Sequence, residues 1–436
     1  GSTFDSKISA NRTAGVWLFM GGAVGAHIGN GFVVGSAGDS AALGLTGACY
    51  GLACAMSYLV ILLINNKVYE TGCITLPGYL RARYNDETIV VLNSVIHVIK
   101  YVANIGVQLM AGKALFVALG LPGELGVLIL LLVVLAYSTL SGLWGTMATS
   151  VIQTVIIVVG LVIATIYIVS TGGLDLISAQ MASGTLPADF TKLFPTSKEF
   201  TSLLISGFTM GLGMMADQCM IQRVCACKSA RHAMGGWIFS VVVLVAAAFM
   251  PALCGMYGRA MFGETGNAVF FRVVMEIFPS LMGAIMIAAV LAAIMSSCDA
   301  FLVGISTIVC NDIYRSKINP NADEKVLNRL DFICTALAAA AAAIIALYVN
   351  SIVGMLFTIV SFSAATCFAP FIGGLLWKRG TAKAAWISTI VGAVFVGLYV
   401  GGVLVTPLKE ILAAIIAIIV YVIVSLLEGK KETAAA

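Results

Sequence analysis

Apolar residues in this chain fall in long runs separated by short polar stretches, and the pattern repeats from one end to the other. Twelve runs are distinguishable: span 1 at 13–38, span 2 at 42–65, span 3 at 88–118, span 4 at 124–141, span 5 at 145–170 and span 6 at 201–221; then span 7 at 236–258, span 8 at 280–311, span 9 at 328–349, span 10 at 352–377, span 11 at 384–404 and span 12 at 408–427. Most reach about 20 residues, the length a helix needs to cross a hydrocarbon core of about 30 Å. The pattern predicts an all-α integral membrane protein.

Polar and glycine positions interrupt three of these runs. Span 1 contains "VWLFMGGAVGAHIGNGFVVGSAG", seven glycines in 23 residues, and span 6 leads into "LLISGFTMGLGMMADQCMIQR". Glycine is about 1 kcal/mol poorer than alanine inside a helix, so breaks are predicted in both. Broken backbone survives in a bilayer only where it is buried in protein or lines a cavity. Discontinuous helices in corresponding positions of two halves, here five spans apart, bind ions and solutes in transporters through freed carbonyls and helix ends. Close packing of helices through small residues accounts for the same glycines, so both readings stay open.

The third interruption is "LAAIMSSCDAFLV" at 291–303 in span 8, with Ser296, Ser297 and Asp299. An ionised Asp at mid-membrane costs at least about 2.5 kcal/mol on insertion scales and therefore faces a partner, a cavity or an ion. Ala293, Ser296 and Ser297 share one helix face. The two hydroxyls, a carbonyl at Ala293 and carbonyls from the broken first span would supply the several oxygens that a hard cation takes. The alternative is that each serine bonds back to its own helix.

Charge orients the spans. With both chain ends cytoplasmic, 17 of the 24 Lys and Arg fall on the cytoplasmic side, in loops around Arg12, Lys67–Arg83, Arg223–Arg231, Arg315–Arg329, Lys378–Lys383 and Lys430–Lys431. Five lie opposite, and Lys100 and Lys113 lie within span 3. This is the bias that sets topology. The net charge of +4 follows from it and is no argument for nucleic acid.

Composition agrees, with 60% hydrophobic residues, 10% charged residues and a mean hydropathy of +1.04. The eleven cysteines sit mostly in apolar runs and read as small buried hydrophobes; Cys225 and Cys227, without a second ligand pair, are a poor metal site. His27, His97 and His232 lie on separate segments, with no nucleophile motif or metal-binding His pair, so an enzyme is not expected. No cofactor is implied and no cleavable signal peptide is evident. The leading "GS" and the "KKETAAA" tail are set aside from fold reasoning.

Several ordered segments resemble the sodium:solute symporter family: "TLPGYLRARY" at 75–84, "LSGLWGTMATSVIQT" at 140–154, "DQCMIQRVCACKSARHA" at 217–233, span 8 followed by "NDIYRSKINPNADEK" at 311–325, and "GGLLWKRGTAKAAW". The resemblance runs over nearly the whole chain. It implies a LeuT-type inverted five-plus-five repeat with broken helices 1 and 6 and two further C-terminal helices. The expected organisation is a cytoplasmic segment 1–12, a first repeat 13–170, an extracellular loop 171–200, a second repeat 201–377, two additional helices 378–427 and a cytoplasmic tail 428–436. The family's helix ahead of the broken one has no match here, and truncation is expected to account for it.

The resemblance implies Na+ as coupling ion, held by the carbonyls of Ala26, Gly29 and Ala293 and the hydroxyls of Ser296 and Ser297. Asp299 is implied as a second ion or coupling group. Ser150 stands where many members carry Asp, which puts a second sodium site of that type in doubt. The implied solute cavity is lined by His27 and Asn30, with Phe32, Gln108, Phe208, Met215, Asp217, Gln218, Phe362 and Ser363. A neutral His27 bonded to freed backbone is the competing reading. His97 and Lys100, close together on span 3, read as structural or snorkelling.

Span 2, "GLTGACYGLACAMSYLV", has neither the acidic nor the amide groups of sugar-transporting relatives, and His27 replaces the Trp of choline-transporter-like ones. A small carboxylate-bearing solute, an amino acid or organic acid, is therefore favoured. The expected protein is a plasma-membrane symporter, functional as a monomer, with the solute, Na+ and the lipid bilayer as partners. A proton-coupled carrier of the same fold and a transporter-like solute sensor are the alternatives.

Overall fold

The computed structural model describes residues 9–138, 143–349, 351–404 and 409–435. The first eight residues, the end of span 4, the start of the motif at 140, the entry to span 12 and the last residue lie outside the described residues. Within them the only extended pairing is an isolated bridge between Ala14 and Cys227; the rest of the ordered backbone is helical.

Span 1 is split into α1 (Val16–His27) and α2 (Ser36–Leu43), separated by Ile28–Asn30 and a π turn at Gly31–Gly35. Span 2 is α3 (Cys49–Leu62), and a short helix α4 (Leu76–Tyr84) leads to α5 (Glu87–Ala118), which is span 3. Spans 4 and 5 are α6 (Gly123–Ser138) and α7 (Leu143–Ser170). Span 6 is α8 (Ser197–Met215) and α9 (Gln218–Cys225), bent by 59° at their junction. Spans 7, 8 and 9 are α10 (Ala230–Phe262), α11 (Ser280–Ser306) and α12 (Glu324–Tyr348). Span 10 is α13 (Ile352–Ser363), a π turn and α14 (Ala369–Leu376), followed by α15 (Ala382–Val400) and α16 (Lys409–Ala435).

Local chemistry sets many of these boundaries. Thr75 caps α4 by accepting from the Gly78 amide, Pro77 occupies its first turn, and Asn85 ends it in the left-handed region. Asp86 caps α5 through the amides of Thr88 and Ile89, and Thr196 with Glu199 forms a capping box on α8. Between α2 and α3 the chain folds back at Gly44, φ +67°, and Gly47 lies so close to the Ser40 backbone that a side chain there would clash.

The basic loops meet at one end of the bundle. Arg12 donates to the Gly72 carbonyl at 2.9 Å, the Lys228 amide donates to the Ala14 carbonyl at 2.9 Å, and Arg83 reaches the carbonyls of Gly374 and Lys378. At the other end Leu45 and Thr46 bond to Phe190 and Leu193, and Gln180 bonds to Ala260. The outer helices α12 and α16 leave side chains such as Leu337 and Ile419 exposed, as a lipid-facing surface does. Helices α1, α3, α5, α8, α11 and α13 enclose the two breaks.

Candidate functional site

The break in span 1 is made by backbone that its neighbours satisfy. Ile28 leaves the helical region (ψ 65°), and the Asn30 amide donates to Gln108 Oε1 at 2.7 Å. The Asn30 side-chain amide donates to the Val107 carbonyl at 2.6 Å, so two groups on α5 hold the break. Gly29 is needed there: a Cβ would stand 2.6 Å from both Gln108 Oε1 and Ser297 Oγ.

The break in span 6 works differently. Gly207, Gly211 and Gly213 do not make it; their open faces receive Met56, Val60 and the Val360 carbonyl, which is packing through small residues. The helix ends three residues later, at Ala216 and Asp217, where Asp217 is extended and caps α9 by accepting from the Met220 amide at 3.2 Å. The Ala216 carbonyl freed there lies 3.2 Å from His97 Nε2, which we assign as the donor.

Between the first break and α11 lies a cradle of buried oxygens. Ser297 Oγ is 3.3 Å from the Gly25 carbonyl and 3.2 Å from the Ala26 carbonyl; Ser296 Oγ is 2.7 Å from Ser150 Oγ on α7. Gly25 lets the two chains approach, since a Cβ there would meet Ser296 Oγ at 2.4 Å. Ala293 is fully buried within an uninterrupted stretch of α11, so its carbonyl belongs to the helix ladder and offers a second lone pair. Asp299 is buried on the same helix, and neither of its carboxylate oxygens has a hydrogen-bond partner among the described residues.

Next to this cradle, a cavity of about 40 Å³ is lined by Ala26, His27, Lys100, Gln108, Asp217 and Ser363, with Met210, Met214, Phe301 and Leu356 supplying its apolar wall. His27 Nδ1 lies 2.5 Å from the Tyr58 hydroxyl, and its Nε2 lies 3.2 Å from Met214 Sδ. Lys100 Nζ donates to Asp217 Oδ2 at 2.6 Å and to Ser363 Oγ at 3.1 Å. A larger vestibule of about 610 Å³ opens at the end opposite the basic loops, where Tyr50 lines both spaces and packs edge-on against Phe357 with ring centres 5.6 Å apart.

Several residues expected in the cavity stand elsewhere. Phe208 is 46% exposed and points out of the bundle; Phe32 packs against Gly51. Met215 is in the core at the end of α8, and Phe362 packs with Ala365 and Val396 toward α15. Gln218 accepts from the Leu76 amide at 2.6 Å and donates to the Ile74 carbonyl, joining α9 to the start of α4. Asn30 braces the break, as described. Lys100 does not snorkel: it is 4% exposed and ion-paired. Tyr58, Asn104 and the methionines were not anticipated; of the missed groups only Lys100, a charge in the middle of an apolar run, carried a signal.

The chain matches the sodium:solute symporter family over residues 8–392. It belongs to that family. It is 27% identical over 424 residues to the sodium/myo-inositol cotransporter 2 of Mus musculus, covering 86% of this chain and 63% of that protein. It is 28% identical over 431 residues to the sodium/glucose cotransporter 4 of Danio rerio, covering 88% and 65%. The chain therefore spans less than two thirds of the length of these relatives. Its fold is that of a solved Na+-coupled sialic acid symporter in a substrate-bound outward-open state, with a TM-score of 0.83, 17% identity, and coverage of 98% of this chain and 93% of that one. The chain thus has the LeuT-type five-plus-five architecture, with α1/α2 and α8/α9 as its broken helices.

Proposed function

We propose that this chain is the transport core of a sodium-coupled symporter that imports a small carboxylate-bearing solute by alternating access. The observation that carries the reading is the all-oxygen cradle between α1 and α11. Ser296 and Ser297, with the carbonyls of Ala26, Gly29 and Ala293, would turn lone pairs toward one Na+. A cation there ties the first broken helix to α11 beside the solute cavity, so cation and solute favour the same conformation and each raises the other's affinity by the same factor. Repeats at 13–170 and 201–377, and cytoplasmic placement of the basic end, complete the proposed organisation.

The carboxylate preference is supported by the Lys100 ammonium in the cavity wall. The relatives named for myo-inositol and glucose favour a neutral polyol instead, and the sialic acid symporter is named for an acid. Proton coupling is the second reading. Asp299 favours it, because an isolated carboxylate inside a bilayer is accompanied by a cation or a proton; with Ser150 it is equally placed to serve a second ion.

Uptake into proteoliposomes tests the proposal. With amino acids, organic acids and polyols supplied in parallel, an inward Na+ gradient should drive accumulation of an acid-bearing solute, and choline in place of Na+ should abolish it. Accumulation driven by a proton gradient alone would transfer the coupling to Asp299.

A further inference from the structure

Lys100 and Asp217 form an ion pair with side chains only 3% and 9% exposed, unlike surface pairs such as Arg81–Glu87. The pair joins α5 to the break in span 6 and lies in the wall of the solute cavity. Its two members are held unequally. Asp217 is fixed at the break by the Met220 amide and by the Tyr101 hydroxyl, 3.2 Å from its other oxygen. Lys100 sits on a flexible stem, uses two of its three N–H bonds on Asp217 and Ser363, and rests 4.9 Å from the Tyr101 ring.

We propose that this pair is an exchangeable recognition site for a zwitterion, an α-amino acid with an apolar side chain. The inference rests on the symporter reading and narrows its solute class. On binding, Lys100 leaves Asp217 for the solute carboxylate, and the solute ammonium takes its place on Asp217. One buried pair becomes two, and the site stays neutral throughout. A solute with one charge has no such exchange. An anion on Lys100 strands Asp217, a cation on Asp217 strands Lys100, and leaving one member of a buried pair alone costs about 100-fold to 1000-fold in affinity. A polyol carries no charge to exchange, so it leaves the Lys100–Asp217 pair closed, and on the apolar side of the cavity Met210, Met214, Phe301 and Leu356 offer its hydroxyls no partner.

The exchange also moves the helices. Ser363 donates to the Gly213 carbonyl at 3.2 Å while accepting from Lys100, so Lys100, α8 and α13 share one hydrogen-bonded junction. Withdrawing Lys100 leaves Ser363 joined to α8 alone. Solute binding thereby loosens α5 from α13 at the cavity.

The test uses the purified full chain in NaCl. Thermal shift is measured with the common L-amino acids, and the best binder is compared with its 2-hydroxy acid, its decarboxylated amine, myo-inositol and glucose. An apolar amino acid should raise the melting temperature, and the hydroxy acid and amine should bind about 100-fold more weakly or worse. The double variant Lys100→Gln/Asp217→Asn removes both charges together, so no lone buried charge is created, and its melting temperature without ligand checks its fold. It should lose amino-acid binding by a similar factor. Equal binding of the hydroxy acid, binding of a polyol with no response to any amino acid, or undiminished amino-acid binding by the double variant overturns the zwitterion site. A hydroxy acid that binds only with Na+ leaves the symporter reading intact, whereas amino-acid binding that persists in choline removes the sodium reading and keeps the zwitterion site.

Discussion

Ser297 donates to backbone carbonyls of α1 in the structure, but the same oxygen keeps lone pairs for a cation, and this double capacity makes it informative to remove. A hydrogen bond or ligand to a charged group is worth about 1.5–3 kcal/mol, so Ser297→Ala should raise the half-saturating Na+ concentration for uptake about 10-fold to 100-fold. High Na+ should restore most of the solute affinity. His27 offers a contrast in place. It lines the cavity and meets Tyr58, whereas His232 bonds to Ser229 at the basic end. In a binding assay His27→Ala should weaken solute binding about 10-fold or more, and His232→Ala by less than about 2-fold; equal effects would take His27 out of the solute's reach. Asp299→Asn keeps the shape and removes the charge. It should leave expression unchanged and alter the Na+ or pH dependence of uptake, and an unaltered dependence would make Asp299 a structural group.

The two broken helices reach similar geometry from different sequence. In span 1 the glycine at 29 stands at the break itself, and Gly29→Ala should push Ser297 and Gln108 aside and lower Na+ affinity more than Gly213→Ala, whose neighbour is the Val360 carbonyl on α13. A Na+ titration of both variants checks the order. In span 6 the polar residue after the glycines, Asp217, ends the helix by capping its successor, while the glycines serve helix contact. This marks how far the chain could be read in advance. Apolar run length marked the helical segments because it reflects the bilayer thickness, and among the described residues nine helices are long and apolar enough to cross a membrane, or ten counting the bent pair α8/α9. The resemblance implied the oxygen set around Ser296 and Ser297, while the hydroxyl pair alone left bonding within its own helix open; in the structure the two serines meet Ser150 and α1. The aromatic and amide lining was not. Which way Phe32, Phe208, Phe362 and Gln218 turn depends on helix rotation and on partners far along the chain, such as Gly51 for Phe32 and Leu76 for Gln218. Lys100 was visible as a buried charge, but its partner lies 117 residues away on a segment whose extended backbone no local pattern announced.

In the proposed scheme a cation in the cradle holds α1 against α11, and a solute at the Lys100–Asp217 pair recasts the contact among α5, α8 and α13. Tyr50 lines both the open vestibule and the small inner cavity and packs against Phe357, so in this scheme solute entry displaces that contact. The coupling of solute to cation in this scheme depends on Na+ occupying the oxygen cradle. The direct check needs no solute: the melting temperature of the detergent-solubilised chain is followed as NaCl replaces choline chloride at constant ionic strength, for the unmodified protein and for Ser297→Ala. Ligand binding to the folded state alone, at ligand concentration L, raises stability by RT ln(1 + L/Kd), so the rise begins near Kd and continues with the logarithm of concentration above it. Na+ in the cradle predicts a melting temperature that climbs with the logarithm of Na+ concentration in the unmodified protein and not with choline, and an onset at about 10-fold or more higher Na+ in Ser297→Ala. An equal response to both cations, or the same Na+ onset in both proteins, would contradict Na+ binding there.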